Sequence, residues 1–537
     1  MNRNRDTLAD ENKTRGSQLS LKKRVAIAVC ISLCSVAMFV FLATPELPYK
    51  TLETRRVVNI SDRLSPLADG GSGFRLTTYP QLLEDGEELV VSWKGEEAVE
   101  LTSQDYVTLS CGPTTGDEDF LMKRRPSDSN ETDHSVRFSG LYMLRCNYTA
   151  IYYTYDEQRD SFRALAKVEV GMAEPFETPK HGHLSLTNDE TAMAILFNSG
   201  SSDTPMVKYG EEVQDLVFDA TGTSTTYSAD DMCHAPANTT GQLAFRDPGY
   251  MHTVIMTNLK PDTYYYYQYG HEKHSLSGVK QFKSRPRRDS KYAKFIAYAD
   301  MGAYSAPGSA STASRVYEDV PHIFHYVLPA FADEYDYVTG GERDLSGGML
   351  PYGGSFNPSW GNFGVDSAGE CGVPMHHRWH GNINALAFCV SFNYGGVHVI
   401  QMSTEHNWTR GSEQYEWLQH DLELVDRSVT PWVVLTAHRM MYTTQMDIES
   451  DMNVSYAFQD EVEDLVYNHG NAGFPLGPEG FSSKYGNWSL RHVNAYGYLR
   501  ISSSPSNMHA QFVLNENGNV YDEFIVAPWG GSQEIDT

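Results

Sequence analysis

"KYAKFIAYADMGAY" (residues 291–304) decides how the chain is read. Phe295, Ile296, Ala297 and Tyr298 form an apolar run of strand character, which stops at Asp300 with Gly302 just beyond. α/β enzymes put metal ligands and catalytic acids at such a point, because the carboxyl end of a buried strand opens onto a crevice and glycine lets the chain turn sharply. One carboxylate cannot hold a metal, so Asp300 calls for partners. "VHVIQMST" (397–404) and "PWVVLTAH" (431–438) repeat the pattern. They alternate with the helical stretches "GSEQYEWLQHDLELVDR" (411–427) and "FQDEVEDLVYNH" (458–469). Residues 291–536 therefore read as an α/β layered domain. Its strands end in Asp300, in the Ser403–Glu405–His406 group and in His438, and strand ends on one rim converge on one crevice.

Upstream the pattern changes to short alternating strands between polar turns. "ELVVSW" (88–93), "YVTLSC" (106–111), "LYMLRCNYTAIYYTY" (141–155) and "RALAKVEVG" (163–171) predict a first β-sandwich over 67–172. "GHLSLT", "TAMAILFNS", "PMVKYG", "TVIMTNL" and "TYYYYQYG" predict a second, immunoglobulin-like sandwich over 173–287. The basic "SRPRRDS" (284–290) reads as a linker.

The chain has 537 residues and a formal charge of −27, which argues against nucleic acid or anionic lipid as the main partner. The N-terminus is the exception. Residues 1–24 form a basic tail ahead of "VAIAVCISLCSVAMFVFLA" (25–43), which carries no charge and is long enough to span a bilayer. The basic flank favours the cytosol, so a signal anchor followed by a stalk (45–66) and a lumenal or extracellular ectodomain is expected. A cleaved signal peptide and a secreted protein is the alternative. Sequons at Asn59, Asn130, Asn147, Asn238, Asn407, Asn453 and Asn487 suit glycosylation on that side. Cys30 and Cys34 lie in the apolar segment, leaving Cys111, Cys146, Cys233, Cys371 and Cys389. Proximity suggests the pairs Cys111–Cys146 and Cys371–Cys389. No zinc-type cysteine spacing occurs.

Longer segments carry a resemblance. "DMCHAPAN" (231–238), "DPGYMHTVIMTNLKPDTYYYYQYG" (247–270), "YADMG" (298–302), "EYDY" (334–337), "NPSWGNFGVDSAGECGVP" (357–374), "PWVVLTAHRMMYTT" (431–444), "KYGNWSLRHVNAYGYLRIS" (484–502) and "NVYDEFIV" (519–526) recur in order. With them the chain resembles a purple acid phosphatase of the large plant-like type, in the calcineurin-like metallophosphoesterase superfamily. The resemblance implies a fibronectin type III-like domain over 173–287. It implies an α/β/β/α metallophosphoesterase domain over 291–536, and phosphate esters as substrates. It also implies a binuclear centre of ferric iron plus a divalent ion (Fe, Zn or Mn). Two cations side by side neutralise the ester, lower the pKa of bound water and stabilise both ends of an in-line displacement.

The carry-over of ligands is partial. Asp300 matches the first Asp ligand, and His438 matches the histidine of the V-x-x-H strand, with Leu435 in place of the valine. The G-D-x-x-Y motif, source of the bridging Asp and the colour-giving Tyr, is missing. The G-N-H-E motif reads Phe331–Ala332–Asp333–Glu334, and the final G-H-x-H pair is missing. Asp333 is either a substitute ligand or a solvated loop carboxylate. Glu405 and His406 read as caps. "HHRWH" (His376, His377, His380) looks metal-like but reads as a partly exposed cluster, and "KHGHLS" (180–185) as a strand with exposed histidines. No catalytic residue is assigned. Two functions follow: an acid phosphatase-type metallohydrolase of phosphate monoesters outside the cytosol, or a catalytically inactive, membrane-anchored pseudophosphatase serving as a binding ectodomain.

Overall fold

A computed structural model describes residues 74–94, 102–112, 120–126, 134–232, 247–298, 308–319, 327–329, 373–379, 384–386, 389–402, 407–437 and 495–527, with residues 238, 462, 468–469 and 493. The apolar segment 25–43 and the sequons at Asn59, Asn130, Asn453 and Asn487 lie outside these residues. Among the described residues no helix is long and apolar enough to cross a membrane.

The first sandwich is built from β1 (Arg75–Tyr79), β2 (Leu82–Leu83), β3 (Leu89–Lys94), β4 (Tyr106–Cys111), β5 (Met122–Arg124), β6 (Ser135–Phe138), β7 (Tyr148–Asp156) and β8 (Ser161–Met172). They form one sheet in the order β1-β3-β6 and a second in the order β2-β8-β7-β4-β5. The alternation in β3 puts Leu89, Val91 and Trp93 inward against Val107, Leu109 and Tyr152 of the other sheet. The expected run 141–155 is interrupted. Arg145 takes a left-handed backbone (φ 56°) and β7 starts only at Tyr148, because Cys146 turns in to bond Cys111, with the two Cα atoms 5.6 Å apart. The first expected disulfide is thus present. The second involves Cys371, outside the described residues. Cys389 is buried, with its sulfur 2.6 Å from Gln414 Oε1.

The second sandwich contains β9 (Lys180–Leu186), β10 (Met193–Ser199), β11 (Met206–Gly210), β12 (Phe218–Thr221), β13 (Thr223–Thr225), β14 (Tyr250–Met256), β15 (Tyr264–Gly270) and β16 (Lys280–Lys283). Its sheets run β13-β14-β10-β9 and β12-β11-β15-β16. The tyrosine run "YYYYQYG" works because strand side chains alternate: Tyr265, Tyr267 and Tyr269 point into the core while Tyr264 is exposed.

The remaining elements make four layers. Sheet one runs β18 (Val327–Pro329), β17 (Ala293–Tyr298), β24 (Gly497–Ser503), β25 (Met508–Leu514), β26 (Val520–Val526). Sheet two runs β19 (Asn384–Leu386), β20 (Cys389–Tyr394), β21 (Val397–Gln401), β22 (Trp432–Thr436), β23 (Asn468–His469). Phe295 and Ala297 of β17 meet Val397, Val399 and Val434 between the sheets. On the outer faces, Val316 of α1 (Ser309–Asp319) packs on Ile296 and Tyr498, and Leu418 of α3 (Glu413–Leu424) packs on Ile400 and Leu435. This is the expected α/β/β/α order. The apolar cluster between the sheets is continuous with that of the second sandwich through residues such as Phe282, Tyr394 and Leu259.

Candidate metal centre

The strands that lead to the candidate ligands share a direction. β17 runs parallel to β18, and β21 runs parallel to β22 and β23. Their starting ends are held together. Lys291, just before β17, donates from Nζ to the carbonyls of Ser428 and Val429 at 2.5 and 2.8 Å. Trp432, first in β22, donates from Nε1 to the Ser504 carbonyl at 2.7 Å, beside Ser503, the partner of Ala293. Gly395, just before β21, lies so close that a Cβ there would stand 2.2 Å from the Tyr292 oxygen. With the starts at one end, the carboxyl ends of β17, β21 and β22 lie at the other. Tyr298, Gln401 and Thr436 end those strands shortly before Asp300, Ser403 and His438. The fold therefore brings the three strand exits read from the sequence to one rim, where α/β sheets bind their ligands. Asp300, His438 and Asp333 themselves lie outside the described residues, as do Glu405, His406 and His380.

The rim strands are anchored from the helical layer. α3 presents Gln414, Leu418 and Asp421 on one side, at helical spacing. Asp421 is buried and accepts from Ser391 Oγ at 2.5 Å and from His398 Nε2 at 2.8 Å, tying α3 to β20 and β21. His398 Nδ1 lies 2.7 Å from Asn393 Oδ1. Ser412 caps the helix by accepting from the Tyr415 amide at 3.2 Å. On the other face, Asn515 donates to Thr312 Oγ1 at 2.6 Å and holds α1 against the β25–β26 turn.

Two histidine groups that the sequence places apart meet in the structure. α2 (Val373–Trp379), which carries His376 and His377, docks on the β9-β10-β14 face of the second sandwich. His181 and His183 are half-buried there, not exposed as expected from the strand pattern, because α2 covers them. Behind them, His252 bridges Ser224 Oγ (2.8 Å) and Ser199 Oγ (2.9 Å), and Ser199 reaches His271 Nε2 at 2.8 Å. Burial pushes the His252 imidazole down to about 3, with His271 and Arg145 adding to the effect. The sequence signals this junction only through two histidine pairs, His181 with His183 and His376 with His377, in segments far apart in the chain.

Residues 179–284 match the family model "Purple acid Phosphatase, N-terminal domain", and residues 468–523 match "Iron/zinc purple acid phosphatase-like protein C". In these two segments the chain is similar to the purple acid phosphatases. Two Arabidopsis thaliana relatives carry the names "Probable inactive purple acid phosphatase" 9 and 27. The first is 28% identical over 70% of this chain and 66% of its own length. The second is 25% identical over 86% and 88%. The solved structure of purple acid phosphatase PPD1 from yellow lupin seeds superposes with a TM-score of 0.68 at 19% identity, covering 85% of this chain and 96% of that one. It shares the fold.

A purple acid phosphatase centre holds two metal ions, and the donor set here does not fit two. Among the described residues no three His, Cys, Asp or Glu side chains form a metal-binding group. The matched positions outside them give one carboxylate, Asp300, and one imidazole, His438, with Asp333 as a second carboxylate at most. Two multiply charged ions at close range need several anionic donors and a bridging group. The rim is preserved, and its ligand complement is depleted.

Proposed function

We propose that this chain is a purple acid phosphatase-type ectodomain whose hydrolytic function is lost, and which is retained outside the cytosol as a membrane-anchored binding protein. The observation that carries this is the depletion at the rim: Ala332 stands where the Asn ligand is expected, and the bridging Asp and the final histidine pair have no counterpart. The naming of similar plant proteins as probable inactive supports the reading. The basic tail, the apolar segment 25–43 and the sequons support a membrane-anchored, glycosylated protein. Purified protein is expected to be colourless, to carry less than about one equivalent of iron and to cleave p-nitrophenyl phosphate hardly at all at mildly acidic pH. Elemental analysis and that assay decide it, and a coloured, active preparation with two metals overturns it.

A second reading, an active phosphomonoesterase, rests on a separate observation. Both gaps lie between well-matched flanks, as the omission of two coding segments would leave them. Sequencing the transcript across 315–335 and 460–475 tests this. If restored segments recover colour and activity together, the protein in the cell is an acid phosphatase.

A further inference from the structure

The basic stretch "SRPRRDS" (284–290) is a surface turn between β16 and β17, held at both ends and open in the middle. Arg285 is only 6% exposed. Its Nη2 donates to the Thr187 carbonyl at 2.6 Å, and its own carbonyl accepts from the Asp262 amide at 2.9 Å. Beyond the turn, the Lys291 ammonium is fixed on the carbonyls of Ser428 and Val429. Between these anchors the Ser290 amide donates to the Arg287 carbonyl at 2.8 Å. The side chains of Arg287, Arg288 and Asp289 there are 68%, 79% and 71% exposed. Arg287 pairs with Asp289 through two bonds of 3.0 and 2.9 Å, whereas Arg288 stands 3.8 Å from Glu190. Exposed pairs of this kind hold a turn only weakly.

Counted back from the Arg288–Asp289 bond, arginine occupies the first, second and fourth places, a spacing that occurs once in the sequence. Other basic pairs lack it. Arg124–Arg125 has Met122 in the fourth place and is followed by Pro126, whose ring restricts the residue before it. Arg55–Arg56 has Glu53 in that place, and Lys23–Arg24 has Leu21. We infer that the Arg288–Asp289 bond is a site of limited proteolysis, read by a subtilisin-type serine endoprotease whose carboxylate-lined subsites take arginine at these places. Arginine offers a fixed charge and a planar fork of donors, which carboxylate pockets select. Exposed loop tips are also where native chains are nicked. Hydrolysis breaks the C–N bond between the two residues. The hydroxyl of water goes to the Arg288 carbonyl carbon, and its proton goes to the Asp289 nitrogen. The pieces 1–288 and 289–537 stay associated, because one apolar cluster runs from the layers into the second sandwich through Tyr394, Phe282 and Leu259. The nick thus cuts the covalent link between sandwich and layers and leaves their packing.

Burial of Arg285 offers the fourth place only when this strand end lifts from Thr187, so cleavage follows a local opening. Purified full-length protein treated with the soluble catalytic domain of furin should give one first cut, with Asp289–Ser290–Lys291 as the new N-terminus. The two pieces should separate on a denaturing gel and elute together in size exclusion. A synthetic peptide covering 282–292 should be cut at the same bond, and faster, since it needs no opening. Arg288→Ala should slow cleavage of the full chain about 100-fold or more, because a subsite carboxylate is left unpaired, and Arg287→Ala about tenfold. Arg125→Ala should leave the rate unchanged. Both turn arginines are exposed, so equal Tm values for variants and wild type show that recognition, not folding, is lost. A peptide that is cut while the folded chain stays intact overturns the inference, as does a first cut elsewhere or a rate that ignores Arg288→Ala. Pieces that elute apart overturn the associated product. That such a protease meets the chain rests on the ectodomain reading, which an N-glycosidase shift tests separately.

Discussion

Removing the Asp421 carboxylate should loosen the helical layer behind the rim without touching the rim itself. Asp421 is 7% exposed, and its partners Ser391 and His398 are 5% and 8% exposed. In Asp421→Ala the Ser391 hydroxyl and the His398 Nε2–H lose their acceptor in a site that water reaches poorly. A buried donor left unpaired costs about 1–3 kcal/mol. Two such donors, partly relieved by side-chain rotation, give about 3 kcal/mol. In a domain of this size each kcal/mol lowers Tm by about 2–4 °C, so a fall of about 6–12 °C is expected in the transition of the layered domain. Asp421→Asn keeps the shape and one acceptor oxygen, and should lose about half as much. Asp426→Ala, on the exposed turn after α3, removes bonds to the Ser428 amide and hydroxyl at 2.9 and 2.6 Å and sets the baseline for a surface carboxylate. Differential scanning calorimetry of the full-length variants makes the comparison. If Asp421→Ala shifts Tm no more than Asp426→Ala does, the Ser391–Asp421–His398 bridge is not what holds α3.

Other outcomes can be checked with the same preparation. Replacing Cys111 and Cys146 by Ser opens a loop with a sequence separation of 35 and should cost the first sandwich about 4 kcal/mol in a denaturant titration. Asn147 and Asn407 sit exposed on described segments, so Asn147→Gln and Asn407→Gln should each remove one glycan step from the gel mobility of cell-expressed protein. No response to an N-glycosidase would remove the case for translocation. Chelation should leave Tm within about 1 °C, since a filled site at a hundredfold excess over its Kd would contribute about 2.7 kcal/mol. A larger drop would mean that a metal is bound after all.

Much of the fold is legible in the sequence. Strand alternation located both sandwiches, and the apolar runs ending at Asp300, Ser403 and His438 located the parallel strands of the layers. Periodicity reports which side of an element is apolar, and these elements bury one side. It does not report long-range pairing. Nothing local to "GYLRIS" says that Leu499 lies opposite Ala297, on the strand that leads to Asp300. The same limit hid the α2 docking. His183 and His377 look solvated in their own segments, and only the packing of one domain on another makes them half-buried neighbours.

The residues that set the rim's geometry are not metal donors. The direction and closeness of β17, β21 and β22 are set by Phe295, Ala297, Val399 and Val434 between the sheets, and by Ile400 and Leu435 under α3. None of these is a metal donor. Burying such side chains contributes about 1.5–3 kcal/mol each, so the layers hold together through packing. The candidate ligands follow the strand ends in the sequence and lie outside the described residues. Substitution at such positions, as at Ala332 and Asp333, changes donor chemistry without touching the side chains that pack the sheets. A family fold is therefore weak evidence for the family reaction in this chain. The residues to weigh are Asp300, Asp333 and His438, whose two carboxylates and one imidazole are too few donors for a two-metal centre.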